Sequence, residues 1–185
     1  PSDSEETAGA WITAIEAKNT STIISTSRHA VPQLKQTRRD GVKFGAYVLE
    51  EPADGKADIT LIGVGAELSF ALDAANELKK KHNIVARVVS FPCQRLFERQ
   101  TVEYKRKTLK RHLGIPAVVI EPYAPNGWER YADAGICLTR FGHSLPGKAA
   151  YKYFGYDTET LVSKVLGYLE RIKGDEYLRR EFVEL

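Results

Sequence analysis

Short β-branched runs separated by helical stretches leave residues 46 to 172 little choice of fold. Ala46-Tyr-Val-Leu49, Ile59-Thr-Leu-Ile62, Val85 to Val89, Ala117 to Ile120 and Gly135 to Thr139 have the length and composition of strands, with the Pro52 to Gly55 turn between the first two. Glu67 to His82 reads as an amphipathic helix with Leu68, Leu72, Ala75 and Leu78 on one face. Lys79 to Lys81 close that helix where its dipole favours cations. A second helix, Asp157 to Ile172, turns Leu161, Val165, Leu169 and Ile172 inward and stops at Gly174. Strands that alternate with helices predict an α/β fold: a mixed, mostly parallel sheet with helices on both faces.

The first forty residues follow a different pattern. Asp3-Ser-Glu-Glu6 has the acidic first turn and spacing of a helix start, and Ala8, Trp11, Ile12 and Ile15 then recur at helical spacing, leaving an apolar face that must pack on something. Thr22, Ile23, Ile24 and Thr26 predict a strand, ended by Pro32, which biases Val31 away from helix. Lys35-Gln-Thr-Arg-Arg-Asp-Gly41 has four charges, a glycine and no core former, and reads as a domain boundary. One helix and one strand do not make a domain, so residues 1 to about 38 are expected to be the loosely held tail of a preceding α/β unit. The chain contains no methionine, which adds to the expectation of an excised or matured piece.

Composition narrows the function classes. The 185 residues are 43% hydrophobic, enough for a real core, and a net charge of +3 does not by itself call for a nucleic acid. Cys93 and Cys137 stand far apart, with no histidine or cysteine at ligand spacing, so neither a disulfide framework nor a zinc site is indicated and a reducing, cytoplasmic setting is expected. No apolar run reaches the ~18 residues of a membrane-spanning helix.

Four features have the chemistry of a site. Arg28 lies between Ser25, Ser27 and His29, where the chain leaves the expected strand; open α/β folds place ligands at such strand ends, and a guanidinium there can grip a phosphate at two points. The competing reading is an arginine–carboxylate pair on a surface loop. Gly63-Val-Gly65 resembles a phosphate-binding turn, but Leu68 stands where the third glycine of the dinucleotide fingerprint belongs, and Glu67 would repel a phosphate. Residues 95 to 112 carry seven Lys or Arg against Glu98 and Glu103; this fits either a polyanion site or a solvated amphipathic helix with Val102, Leu109 and Leu113 on its apolar face. Arg140 to Gly147 is a loop displaying His143 and Ser144, but no acid at motif spacing orients the histidine, and a structural loop is the simpler reading. His29, His82 and His112 are scattered and form no metal spacing.

Taken in order, Glu5-Glu-Thr-Ala-Gly-Ala-Trp11, Ser27-Arg-His-Ala-Val-Pro32, Ile62-Gly-Val-Gly-Ala-Glu67, Ala86-Arg-Val-Val-Ser-Phe-Pro92 and Arg140-Phe-Gly142 with Tyr153-Phe-Gly155 resemble the C-terminal part of the transketolase family. The resemblance implies a thiamine-diphosphate enzyme that moves a two-carbon ketol unit from a ketose phosphate to an aldehyde. It divides the chain into the tail of the pyrimidine-binding middle domain (1–38) and the C-terminal domain (39–185). It also implies that the cofactor and its divalent metal, Mg or Ca, are bound by the N-terminal and middle domains, that the full-length enzyme is a homodimer, and that Arg28 grips the donor phosphate. No catalytic residue transfers to this chain. Arg28-His-Ala-Val-Pro32 stands where many members read Arg-Gln-Asn-Leu-Pro, and the Ser144 to Gly147 loop is longer than usual. These departures point to the dihydroxyacetone-synthase branch or a transketolase-like fungal relative, and leave the acceptor open between an aldose phosphate and formaldehyde. The alternative is a free-standing binding or regulatory module that uses residues 95 to 112.

Overall fold

The computed structural model describes residues 1–175, 178 and 181–185. One sheet is built from β1 (Tyr47–Glu50), β2 (Ile59–Gly63), β3 (Ala86–Ser90), β4 (Ala117–Ile120), β5 (Ala134–Ile136) and β6 (Val183–Glu184), in the order β1-β3-β2-β4-β5-β6. Only β1 runs antiparallel, against β3; the other neighbours are parallel. The helices are α1 (Ser4–Glu16), α2 (Leu68–His82), α3 (Gln94–Glu98), α4 (Val102–Leu109), α5 (Gly147–Tyr153) and α6 (Thr158–Gly174). The expected mixed, mostly parallel sheet with helices on both faces is the fold observed.

Strand side chains alternate between two cores. Ile59, Leu61, Val88, Val118, Ile120 and Ile136 pack with Leu68, Leu72 and Leu78 of α2 and Leu161, Val165 and Ile172 of α6. Ile62, Val89 and Val119 face the other way, against Phe91, Phe97, Leu109, Trp128 and Tyr131 from the connections after β3 and β4. Register then fixes the upper edge: Gly63 pairs with Ser90 on one side and Ile120 on the other, so β2, β3 and β4 end level. Chain order reverses direction at β2, with β3 on one flank and β4 on the other. A crevice therefore opens above the strand ends, where folds of this kind meet ligands.

Several expectations are corrected. Residues 22 to 26 form no strand, and Ile23 is 95% exposed; a strand needs a neighbour to take its N–H and C=O groups, and no described strand lies beside it. The basic stretch is two helices rather than one, because the Thr101 side chain accepts from the Tyr104 N–H at 3.2 Å and starts α4 afresh. The change of axis leaves Val102 and Leu113 exposed and buries only Leu109 of the expected apolar face. The fifth strand stops at Ile136, short of Thr139, and the two-residue β6 at the sheet edge was not anticipated, being too short to show a period. On α1 the apolar face is present but uncovered: Trp11 is 59% and Ile15 77% exposed.

Candidate functional site

Residues 20 to 27 wall a cleft of about 640 Å³ whose other sides are the turn after β2, Glu121 to Tyr123 after β4, and the start of α3. The β2 turn is shaped by its own backbone. A Cβ on Gly63 would lie 2.5 Å from the Leu68 Cα, and Gly65 has φ +57°, so both glycines serve the tight passage from strand to helix. Leu68, in place of a third glycine, is fully buried beneath the turn.

Two carboxyl groups, Glu67 and Glu121, line this crevice together with Arg95 and Arg99. Glu67 is buried and accepts a hydrogen bond from the Tyr151 hydroxyl at 2.6 Å; burial raises its pKa all the same. Glu121 is pushed up to about 8, first by burial and then by the charge of Glu67. The same surroundings raise the Tyr151 phenol, chiefly through burial. The sequence marked Glu67 only as a helix-start charge and gave no weight to Glu121. Its signal was positional: it is the first polar residue after an all-apolar strand that ends in the crevice.

Arg28 is exposed and follows Ser27, the last of its segment to line the cleft. Among the described residues its guanidinium forms neither an ion pair nor a hydrogen bond. The neighbours are ordered instead. The His29 N–H donates to the Ser27 hydroxyl oxygen at 3.2 Å, Ser27 Oγ lies 3.0 Å from His29 Nδ1, and the His29 ring stands edge-on to Tyr151 with centroids 5.5 Å apart.

The segment carrying Arg28 is tied down at both ends through α1. Asp3 caps this helix, its Oδ1 accepting from the Glu6 N–H at 3.1 Å. Asp3 Oδ2 accepts from Thr37 Oγ1 at 2.7 Å, Gln33 Nε2 at 2.8 Å and the Leu34 N–H at 3.1 Å. Glu6, fully buried, accepts from the Tyr47 hydroxyl at 2.7 Å, the Ser2 N–H at 2.7 Å and the Ser90 hydroxyl, which fixes α1 to β1 and β3. Buried carboxylates are tolerated when donors converge on them in this way. Gly9 brings the helix backbone against Arg39: a Cβ there would lie 2.3 Å from the Arg39 carbonyl oxygen.

Of the other sequence candidates, Arg95 and Arg99 of the basic segment line this cleft, and the rest stay apart from it or serve the fold. In the 95 to 112 segment, Lys105 pairs with Glu98 at 3.1 Å, Lys110 with Glu51 at 2.9 Å and Arg111 with Asp133 at 2.6 Å, so part of its charge is used internally. His143 and Ser144 are exposed, and His143 contacts the Tyr153 ring edge-on. Among the described residues no group of His, Cys, Asp and Glu could hold a metal ion, and no helix is long and apolar enough to cross a membrane.

Sheet order, level strand ends and an added wall over the crevice define an open α/β protein with a cleft at the carboxyl edge of its sheet, the edge where folds of this kind meet ligands. Residues 45–157 match the family model described as "Transketolase-like TK C-terminal domain". Dihydroxyacetone synthase from Candida boidinii is 42% identical over all of this chain and 26% of its own length. The probable transketolase of Schizosaccharomyces pombe is 34% identical over 97% of this chain and 26% of its own. Among solved structures, a transketolase from Pichia stipitis in complex with sedoheptulose 7-phosphate superposes with a TM-score of 0.88 at 32% identity, over 95% of this chain and 25% of that one. The chain belongs to the transketolase family, and spans about a quarter of the length of these relatives.

Proposed function

We propose that the chain is the C-terminal portion of a thiamine-diphosphate-dependent enzyme that transfers a two-carbon ketol unit from a ketose phosphate to an aldehyde, and that Arg28 holds the donor's phosphate. On this reading residues 1–38 end the middle domain and 39–185 form the C-terminal domain of a full-length homodimer. The observation that carries the role of Arg28 is its position: a guanidinium beside the crevice, free of internal partners among the described residues, on a loop ordered by Ser27 and His29. The ketose phosphate bound by the Pichia stipitis relative supports the substrate class. Guanidinium stays charged at any working pH and offers a planar fork of donors, which suits a phosphate remote from the reacting carbonyl.

The residues present do not fit thiamine diphosphate. The glycine turn after β2 lacks the third glycine, Leu68 standing in its place, and is bordered by the carboxyl groups of Glu67 and Glu121, which would oppose a diphosphate whenever ionised. No metal-ligand group accompanies that turn among the described residues. On this reading the preceding domains hold the cofactor and its divalent metal, Mg or Ca, as the family resemblance implies, and the isolated 185-residue chain is expected to be inactive.

The test is Arg28→Ala in the full-length enzyme. A lost charge-assisted contact of roughly 1.5–3 kcal/mol lowers kcat/KM for a ketose phosphate by about 10- to 150-fold. Turnover of unphosphorylated hydroxypyruvate changes little. Equal losses on both donors would make Arg28 a structural residue. Running the same assay with an aldose phosphate and with formaldehyde as acceptor separates the two branches of the family.

A further inference from the structure

We propose that Asp3 and Thr37 are positioning residues for Arg28, setting where its guanidinium meets the donor phosphate without touching substrate themselves. The inference rests on the phosphate role proposed for Arg28 and adds how the protein holds that side chain in place.

The argument starts from a mismatch. Residues 17 to 32 form no helix or strand, and most are exposed, yet a two-point phosphate contact needs its guanidinium held to a fraction of an ångström. Packing supplies little of this, because Ile23 is 95% exposed and the ring contact nearest Arg28 is the single edge-on approach of His29 to Tyr151. Polar anchors at the roots of the segment can supply it. At the near root, α1 is bound to the sheet through Glu6, whose acceptors take the Tyr47 and Ser90 hydroxyls. At the far root, one carboxylate oxygen, Asp3 Oδ2, gathers Gln33, Leu34 and Thr37. Thr37 is itself buried, and its hydroxyl lies 2.9 Å from the Leu34 carbonyl oxygen as well as 2.7 Å from Asp3. Only Pro32, with its fixed φ, and three further residues separate Gln33, the first residue gathered by Asp3, from Arg28. Asp3 thus references the arginine to the helix, and Glu6 references the helix to the sheet.

Asp3 already caps α1 through Oδ1, a task that needs one oxygen. The second oxygen is spent wholly on residues 33 to 37. Helix stability alone does not require that arrangement. A loop that must present a charged group at a fixed place does.

The experiment uses the full-length enzyme loaded with its cofactor and compares Thr37→Val, Thr37→Ser, Gln33→Ala and Arg28→Ala on sedoheptulose 7-phosphate and on hydroxypyruvate. Thr37→Val keeps the volume and removes the hydroxyl; it should raise KM for the phosphorylated donor about three- to tenfold, the equivalent of one lost hydrogen bond, with kcat and hydroxypyruvate kinetics unchanged. Thr37→Ser keeps the hydroxyl and should restore KM to within about twofold, below the effect of a typical hydrogen bond. Gln33 is exposed, so Gln33→Ala carries little folding risk and should shift KM in the same direction by a smaller factor. If Arg28→Ala is donor-selective while Thr37→Val and Gln33→Ala affect both donors equally or neither, the positioning role is overturned and the phosphate role stands. If Arg28→Ala itself fails to discriminate between donors, both fall together.

Discussion

In the sheet, Ile59, Leu61, Val88, Val118 and Ile120 are held by apolar burial between two layers, whereas the first forty residues bury little apolar surface and are held by two carboxylates, Asp3 and Glu6. The two modes respond differently to change. Apolar burial is spread over many side chains and has no single essential contact. A carboxylate that gathers three donors concentrates the attachment in one group, and removing it strands every partner at once. The N-terminal segment is therefore not uniformly loose, as its composition suggests. It is held along α1 and at residues 33 to 39, and open from 17 to 32, where Arg28 sits.

The largest effect on this contrast should come from Glu6→Ala. Three donors, the Tyr47 and Ser90 hydroxyls and the Ser2 N–H, lose their acceptor in a buried site, at about 1 kcal/mol or more each. Denaturant unfolding of the purified chain should show a loss of about 3 kcal/mol with α1 released; a loss below about 1 kcal/mol would mean the attachment is apolar after all. Gly9→Ala should come next. The added Cβ meets the Arg39 carbonyl, which no rotamer change can relieve, and overpacking of this kind costs typically about 1–3 kcal/mol. Ala8→Gly on the same helix serves as the control, losing only intrinsic helix propensity of about 1 kcal/mol.

An effect of a different kind is a pH dependence confined to the crevice. Glu121 titrates at about 8 in the folded chain against 4.5 ordinarily, so folding takes up a proton between those values. Its contribution to stability is fully present below the ordinary carboxylate range and is lost as pH rises through about 8. Thermal midpoints should therefore fall from about pH 5 to pH 8, and Glu121→Gln, which cannot ionise, should flatten that slope. An unchanged slope in the variant would place the dependence on another group.

The sequence carried the sheet well because its strands and helices are long or strongly apolar: Ile59 to Ile62, Glu67 to His82 and Asp157 to Ile172 lie within a few residues of their observed bounds. It failed where structure depends on a distant partner. Thr22 to Thr26 has strand propensity but no neighbouring strand, and local preference cannot report that. Residues 95 to 112 look like one helix until Thr101 acts as a cap, a role set by backbone geometry that residue type permits without demanding. Arg28 stands out in the sequence because residue type and a proline stop coincide in a motif that resembles the family, and its phosphate role stays a proposal. The Asp3–Thr37 and Glu6–Tyr47 contacts were not, since they join residues 34 and 41 positions apart with no periodic signature. Lys35 to Gly41 likewise reads as a boundary from its charges, while its buried Thr37 and the Arg38 N–H, which donates to the Tyr47 hydroxyl at 3.2 Å, tie it to α1 and the sheet.

Residue-resolved amide hydrogen exchange on the purified chain tests the anchored-ends account most directly. The Leu34 N–H, bound to Asp3, and the Arg38 N–H, bound to Tyr47, should exchange slowly and in step with the first turn of α1, while amides from 20 to 26 exchange at rates close to those of an unstructured chain. Exchange at Leu34 and Arg38 as fast as at residues 20 to 26 would contradict it, and would return the whole N-terminal segment to a loosely held tail.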